Sequence, residues 1–302
     1  MKEKENLLLP NFICIGAQKT GTTTLYHILK EHDEITVSKP RKETKFFYRD
    51  SEYKRGLKYY SEFFSYAPPK KVIGEIDPDY LYFPYIANRI NKDLGNDMKF
   101  IIILRNPVDR AFSQYHMSVR MGFEKLNFKE AIEKEFERLK SGNSIEQSNF
   151  SYISRGLYDQ QIERYFKLFA RNNFLLINYD TEFKPDLAGT LKNIYRFLDI
   201  SNVDLELNIK ENSAAIPKSE LLVKLIREKN SIKTVLKKII SNPDRRRYLK
   251  KKIINWNRKD IVITPLDNEL RYYLYKKYFA DSINNLEKLT AMDFSLWKEK
   301  EL

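Results

Sequence analysis

The stretch Asn11-Phe12-Ile13-Cys14-Ile15-Gly16-Ala17-Gln18-Lys19-Thr20-Gly21-Thr22-Thr23-Thr24-Leu25 decides the fold. Asn11 to Ile15 reads as a short buried strand, an apolar run closed by a glycine. Beyond the loop Gly16 to Thr22, residues Leu25, Ile28 and Leu29 return at helical spacing on one face. Strand, glycine-bounded loop and helix, in that order, aim backbone N–H groups and a positive helix end at one point, which is how a phosphate is held. Lys19 precedes Gly21, whereas the nucleotide-hydrolase loop places its lysine directly after the second glycine. Taken alone, the stretch also fits an ordinary strand-to-helix turn with an exposed lysine.

Working outward, Ile35 to Ser38, Val72 to Ile76, Lys99 to Leu104 and Phe174 to Asn178 read as further strands. The run Phe100-Ile101-Ile102-Ile103-Leu104 is apolar throughout, as expected of a strand buried on both faces of a parallel sheet. Helices are expected through Pro107, Ala111 and Tyr115, through Phe128, Ile132, Phe136 and Leu139, through Tyr158, Ile162, Tyr165 and Phe169, and through Leu187, Leu191, Ile194 and Leu198. Lys140 to Ser151, rich in Ser, Asn and Gly, reads as a loop. Strands alternating with helices give an α/β, P-loop-like three-layer fold, a central parallel sheet flanked by helices. One domain is expected over residues 1–302, with a core of about 11–200 and a helical C-terminal extension of about 204–302. Within that extension Thr264-Pro265-Leu266-Asp267 is read as the opening of the last long helix.

The chain has a formal net charge of +13, which favours anionic partners: phosphorylated or sulfated molecules, acidic polymers or an acidic membrane surface. One cysteine, Cys14, excludes an internal disulfide framework, and three histidines leave little material for a metal site. Met1 to Asn6 alternates Lys and Glu, and Leu7-Leu8-Leu9 is too short for a signal-peptide core or a membrane span. The expectation is a cytoplasmic protein with no transmembrane segment.

A second constellation is Leu104-Arg105-Asn106-Pro107-Val108-Asp109-Arg110-Ala111-Phe112-Ser113, an arginine at a strand end followed by a helix carrying a serine. Arginine offers a rigid fork of donors, so Arg105 and Ser113 together suit a second phosphate; Arg105 alone also fits a loop cap or a surface ion pair. The loop after Ile15, the segment after Ser38, Glu75 to Asp77 and Arg105 all follow strands. In a parallel sheet those carboxyl ends share one edge, where ligands bind.

On these residues the chain resembles the sulfotransferase superfamily, in its heparan-sulfate-type and bacterial carbohydrate branch. Gln18 to Leu25 is similar to its 5′-phosphosulfate loop, Leu104 to Ser113 to its 3′-phosphate motif, and Lys42-Glu43-Thr44-Lys45-Phe46-Phe47 to the segment bearing its catalytic carboxylate. Weaker likeness extends through Gly156-Leu157-Tyr158, Phe197-Leu198 and Leu270 to Trp297. The resemblance implies transfer of a sulfuryl group from 3′-phosphoadenosine 5′-phosphosulfate to a hydroxyl on a carbohydrate or glycosylated molecule, leaving 3′-phosphoadenosine 5′-phosphate and needing no metal. By the same resemblance Glu43 is the general base, Lys19 and Lys42 stabilise the leaving phosphate, and Lys19, Thr20, Gly21, Thr22, Thr23, Thr24, Arg105 and Ser113 bind the donor. Arg258, within Asn257-Arg258-Lys259, is the candidate for the branch's C-terminal basic loop, and Lys45, Glu75 and Asp77 are candidates for substrate contact.

The chain departs from the branch at Glu75-Ile76-Asp77-Pro78, where a lysine of the pattern is missing. His116 is read as helix surface or a minor contact, and His27 and His32 as a solvated helix. The basic stretches Lys233 to Lys238 and Arg245 to Lys252 suit either an acidic glycan or a solvated helix face. The aromatic clusters Tyr80 to Phe83 and Tyr272 to Tyr275 fit core packing better than ligand stacking. Other readings are a sulfotransferase of a small non-sugar metabolite, a P-loop nucleotide kinase, which the lysine position opposes, and a basic polyanion-binding protein, which would not need paired phosphate motifs. Nucleic acid is not an expected partner.

Overall fold

A computed structural model describes residues 7–66, 68, 70–140, 142, 144–203, 215–217, 219, 243–260 and 264–300. The described residues fall into two compact units. The first is built from Met1–Ala111, Ile153–Ile209 and Asn268–Leu302, the second from Phe112–Tyr152 and Lys210–Asp267.

The first unit holds the sheet. Its strands are β1 (Phe12–Gly16), β2 (Ile35–Val37), β3 (Val72–Ile76), β4 (Lys99–Leu104) and β5 (Phe174–Asn178). All are parallel, in the order β2-β3-β1-β4-β5. Side chains alternate between faces along each strand. Phe12, Cys14, Ile101 and Ile103 join one cluster with Leu25, Leu29, Leu191, Ile194 and Leu198 from the helices Thr22–Glu31 and Leu187–Leu198. On the opposite face Phe100 meets Tyr165, Phe169 and Phe174, with ring centroids 4.7 to 5.5 Å apart. Helix, sheet, helix is the expected three-layer α/β architecture. Leu25 and Leu29 are fully buried, each worth about 2 kcal/mol of hydrophobic stabilisation. Gly74 lets β3 lie against Phe12, because a Cβ there would stand 1.9 Å from the Phe12 ring.

The order β2-β3-β1-β4-β5 matters for function. The chain leaves β1 for β2 and β3 on one side, then crosses to β4 and β5 on the other, so loops after β1 and β4 diverge at the carboxyl edge, where parallel sheets of this kind bind ligands.

Several expectations change. His32 is buried, its Nδ1 accepting the Glu34 N–H at 3.1 Å and its Nε2 lying 3.0 Å from the Ser201 carbonyl, so it ties down the turn into β2 instead of facing solvent. Lys140 to Ser151 is not all loop: Ser144–Phe150 is helical. The Ser151 hydroxyl, part of the loop signal, donates to the Gln147 carbonyl. The Phe128 to Leu139 helix breaks at Lys134 into Phe128–Glu133 and Glu135–Leu139. After the restart Arg138 reaches Glu124 at 2.5 Å, while Phe136, expected on the apolar face, is 74% exposed. The last helical stretch opens at Asn268, not at Thr264, and continues through Tyr275–Phe279 to Thr290. The expected helical extension includes Pro243–Trp256 but also an antiparallel pair, β6 (Ala215–Pro217) with β7 (Arg258–Asp260). Lys233 to Lys238 lies outside the described residues. No helix among the described residues is long and apolar enough to cross a membrane.

Candidate active site

The loop after β1 is shaped by two left-handed residues, Lys19 at φ 75° and Gly21 at φ 80°. Successive N–H groups turned inward by such residues form an anion-binding concavity at the start of Thr22–Glu31. Thr20 is buried and donates its hydroxyl to the Ala17 carbonyl at 2.7 Å, so it braces the loop; Thr22 is buried, Thr24 half-buried and Thr23 exposed. A Cβ at Gly21 would lie 2.6 Å from the Phe183 ring, a second reason for glycine there.

Four described non-glycine residues have positive φ: Lys19, Lys45, Asp199 and Ala291. Asp199 and Ala291 end helices, where the left-handed conformation is ordinary. The other two are lysines of the candidate site, where strained backbone held by its surroundings tends to collect.

The segment after β2 comes to the same helix start. The Lys42 ammonium donates to the hydroxyls of Thr22 at 3.2 Å and Thr23 at 3.4 Å. It also lies 3.3 Å from Glu43 Oε1, while the Lys45 ammonium is 3.9 Å from Glu43 Oε2. Glu43 thus stands between two cations and keeps 33% of its side chain exposed, open to a reactant. Burial opposes the charge on Lys45, but Asp79, Tyr48, Glu43 and Asp77 outweigh it and raise the ammonium pKa above its ordinary value.

Glu75 and Asp77, expected at the substrate, are instead wholly buried beneath this segment. Glu75 accepts from the Thr44 N–H and hydroxyl and from Tyr60 and Tyr80. Asp77 accepts from the N–H groups of Lys45 and Asp79. Burial raises both carboxyl pKa values; for Asp77 the charges of Glu43, Asp79 and Glu75 add to the effect and carry it well above the carboxylate range. Burial also pushes the Cys14 thiol up to about 12, which leaves it an inert part of β1.

Arg105, at the end of β4, donates from Nη1 to the Lys19 carbonyl at 3.2 Å, joining the second motif to the first. Its guanidinium lies 5.1 Å from the centre of the Tyr179 ring, and its carbonyl accepts from the Tyr158 hydroxyl at 2.9 Å. Asp180 takes the Asn106 N–H at 2.8 Å and the Trp297 indole N–H at 2.9 Å. Tyr158, Tyr179, Asp180, Phe183 and Trp297 were not singled out from the sequence as parts of the site. The signal available for Tyr179 and Asp180 was their place directly after a strand ending on the shared edge. Ser113 is half-buried on the helix Pro107–Arg120 and belongs to the second unit, as does Arg258. Arg258 pairs through its backbone with Pro217, and its side chain lies outside the described residues. His116 is half-buried against the Phe112 ring, and burial lowers its pKa.

Comparison with known proteins gives a family model, "Sulfotransferase domain", matching residues 9–255. The membrane-associated sulfotransferase kil1 of Dictyostelium discoideum is 37% identical over 140 residues, covering 45% of this chain and 28% of that protein. Heparan sulfate glucosamine 3-O-sulfotransferase 5 of Homo sapiens is 30% identical over 205 residues, covering 66% of this chain and 57% of that one. The match to these two curated relatives therefore spans less than two thirds of their length. Among solved structures, a sulfotransferase from Alicyclobacillus acidocaldarius superposes with a TM-score of 0.70 at 26% identity, covering 96% of this chain and 99% of that one.

Proposed function

The chain belongs to the sulfotransferase domain family, and from that premise we propose that it moves a sulfuryl group from 3′-phosphoadenosine 5′-phosphosulfate to an acceptor hydroxyl. The observation that carries this reading is the junction at the start of Thr22–Glu31, where Lys42 reaches the hydroxyls of Thr22 and Thr23 and holds Glu43 at its other side. Cations for a leaving phosphate and a carboxylate for an incoming hydroxyl then meet at one place.

In the proposed reaction the acceptor oxygen bonds to sulfur as the bond from sulfur to the bridging phosphate oxygen breaks. The electron pair stays on the phosphate, and the acceptor proton passes to Glu43. Lys19 and Lys42 offset the negative charge that grows on the phosphate, an effect that is strong where water is excluded. Thr22, Thr23, Thr24 and the N–H groups of the loop hold the 5′ end of the donor, and Arg105 holds its 3′-phosphate. A carbohydrate acceptor is favoured by the names of relatives that act on heparan sulfate.

The test is a screen of acceptors, heparosan first, with donor labelled with sulfur-35. It is paired with thermal stabilisation by 3′-phosphoadenosine 5′-phosphate against magnesium adenosine triphosphate. Label transfer and preferential stabilisation by the bisphosphate are expected. Stabilisation by the triphosphate alone, with no transfer, would overturn the reading.

A further inference from the structure

We propose that Glu75 and Asp77 are positioning residues, two buried carboxyl side chains at and just beyond the end of β3 that fix the backbone of the segment carrying Glu43 and so aim its carboxylate at the acceptor hydroxyl. The inference rests on Glu43 being the base.

Four successive amides follow Glu43, none in regular secondary structure, and each finds an acceptor in one buried network. Thr44 N–H donates to Glu75 Oε1 at 2.9 Å and Lys45 N–H to Asp77 Oδ2 at 3.1 Å. Phe46 N–H donates to the Thr44 hydroxyl oxygen at 3.1 Å and Phe47 N–H to the Tyr80 hydroxyl oxygen at 3.3 Å. Glu75 and Asp77 stand two positions apart and so face the same way, matched to consecutive amides of the segment. The rest of Glu75 is occupied as well: Oε1 takes the Thr44 hydroxyl at 2.5 Å, and Oε2 takes the hydroxyls of Tyr60 at 2.5 Å and Tyr80 at 3.2 Å. The Ser38 hydroxyl donates to the Lys42 carbonyl on the other side of Glu43.

A turn whose only task was to reverse the chain could satisfy these amides with backbone carbonyls or water. Burying carboxyl groups is costly, and buried polar networks that are fully bonded define one geometry. Here that geometry includes Lys45 at φ 62°, a conformation a lysine does not choose unaided. Glu43, Asp79, Glu75 and Lys45 are the charged groups that act on Asp77; Glu75 and Asp79 are buried, while Glu43 and Lys45 keep part of their side chains exposed.

The test uses the full chain, transfer of sulfur-35 from the donor to the acceptor selected by the screen above, and calorimetry with 3′-phosphoadenosine 5′-phosphate. Asp77→Ala should lower kcat about 100-fold, the scale of a misplaced reacting group, while donor KM and bisphosphate affinity stay within about 2-fold. Asp77→Asn, which keeps an oxygen for the Lys45 N–H, should recover most of the rate. Should Asp77→Ala fail to fold, Thr44→Val decides: it is close in shape, removes the hydroxyl that bonds Glu75 and Tyr80 and accepts the Phe46 N–H, and should lower kcat about 5-fold with the same unchanged affinity. Wild-type kcat in Asp77→Ala or Thr44→Val beside a dead Glu43→Gln would overturn the inference alone. So would equal losses in Asp77→Ala and Asp77→Asn. Wild-type turnover in Glu43→Gln would remove the base assignment and this inference with it.

Discussion

At Gly21 the backbone turns through φ 80° with the Phe183 ring 2.6 Å from where a Cβ would sit. Gly21→Ala meets both obstacles: about 1 to 2 kcal/mol for the left-handed conformation and a clash with a ring that is itself buried. A lower unfolding midpoint and loss of stabilisation by 3′-phosphoadenosine 5′-phosphate are expected, read by thermal melts with and without the nucleotide. Lys19→Ala keeps a Cβ at φ 75° and so leaves the backbone strain as it was, but it removes a cation from the leaving phosphate. It should fold as well as the wild type and lose about 100-fold or more in kcat, as Glu43→Gln should by losing the base. Arg105→Ala should act on binding instead, weakening bisphosphate affinity about 10- to 100-fold in calorimetry, the scale of a charged hydrogen bond. Lys19, Gly21 and Arg105 stand in short patterns with a chemical reason, whereas Glu43 was singled out by the family resemblance alone. Tyr60 and Tyr80 were not, since a buried tyrosine in sequence looks like core, and only the fold reveals that both hydroxyls end on Glu75.

The helix Pro107–Arg120 illustrates how an element delivers the site. Asn106 is buried, and its Oδ1 accepts the N–H of Val108 at 2.9 Å and of Asp109 at 3.4 Å, while its own N–H is held by Asp180. Asn106→Ala leaves those helix-start donors without a partner and should cost about 1 kcal/mol in urea unfolding. The turn that carries Arg105 is loosened at the same time, so bisphosphate affinity should fall too, although Asn106 itself is 3% exposed. Strands were the most legible elements. β3 and β4 occupy Val72–Ile76 and Lys99–Leu104 as read; in β4 a parallel strand buried on both faces leaves an unbroken apolar run from Phe100, whereas β3 carries Gly74 and Glu75 within it. Short helices were the least legible. Ser144–Phe150 has too few turns to show a period, and the ion pair from Arg138 to Glu124, which follows the break at Lys134, joins residues 14 apart that no local pattern connects.

For the molecule as a whole, the parallel order β2-β3-β1-β4-β5 brings the ends of β1, β3 and β4 side by side, and this was readable from where the strands stop. What lies under that edge was not, and it leaves a mark on how stability depends on pH. Glu75 and Asp77 hold their protons more tightly in the fold than in the unfolded chain, mainly because burial penalises their charge. A carboxyl shifted upward favours folding below its ordinary pKa, and that advantage is lost as pH rises through the raised folded value. Glu124 has the opposite sign: the Arg138 guanidinium and other hydrogen-bond donors, among them Tyr152, outweigh its burial and lower its pKa. Its contribution is present above the ordinary carboxylate range and fades as pH falls. Asp77→Asn isolates one part of this balance, cancelling the Asp77 contribution and leaving those of Glu75 and Glu124 intact. Relative to wild type, that variant should gain stability as pH rises from about 4, by at most about 1.4 kcal/mol per pH unit, until the wild-type carboxyl has ionised. Urea unfolding of both proteins at a series of pH values reads the difference directly, and a difference that stays flat from acid to neutral pH would mean that Asp77 titrates alike in the folded and unfolded chain.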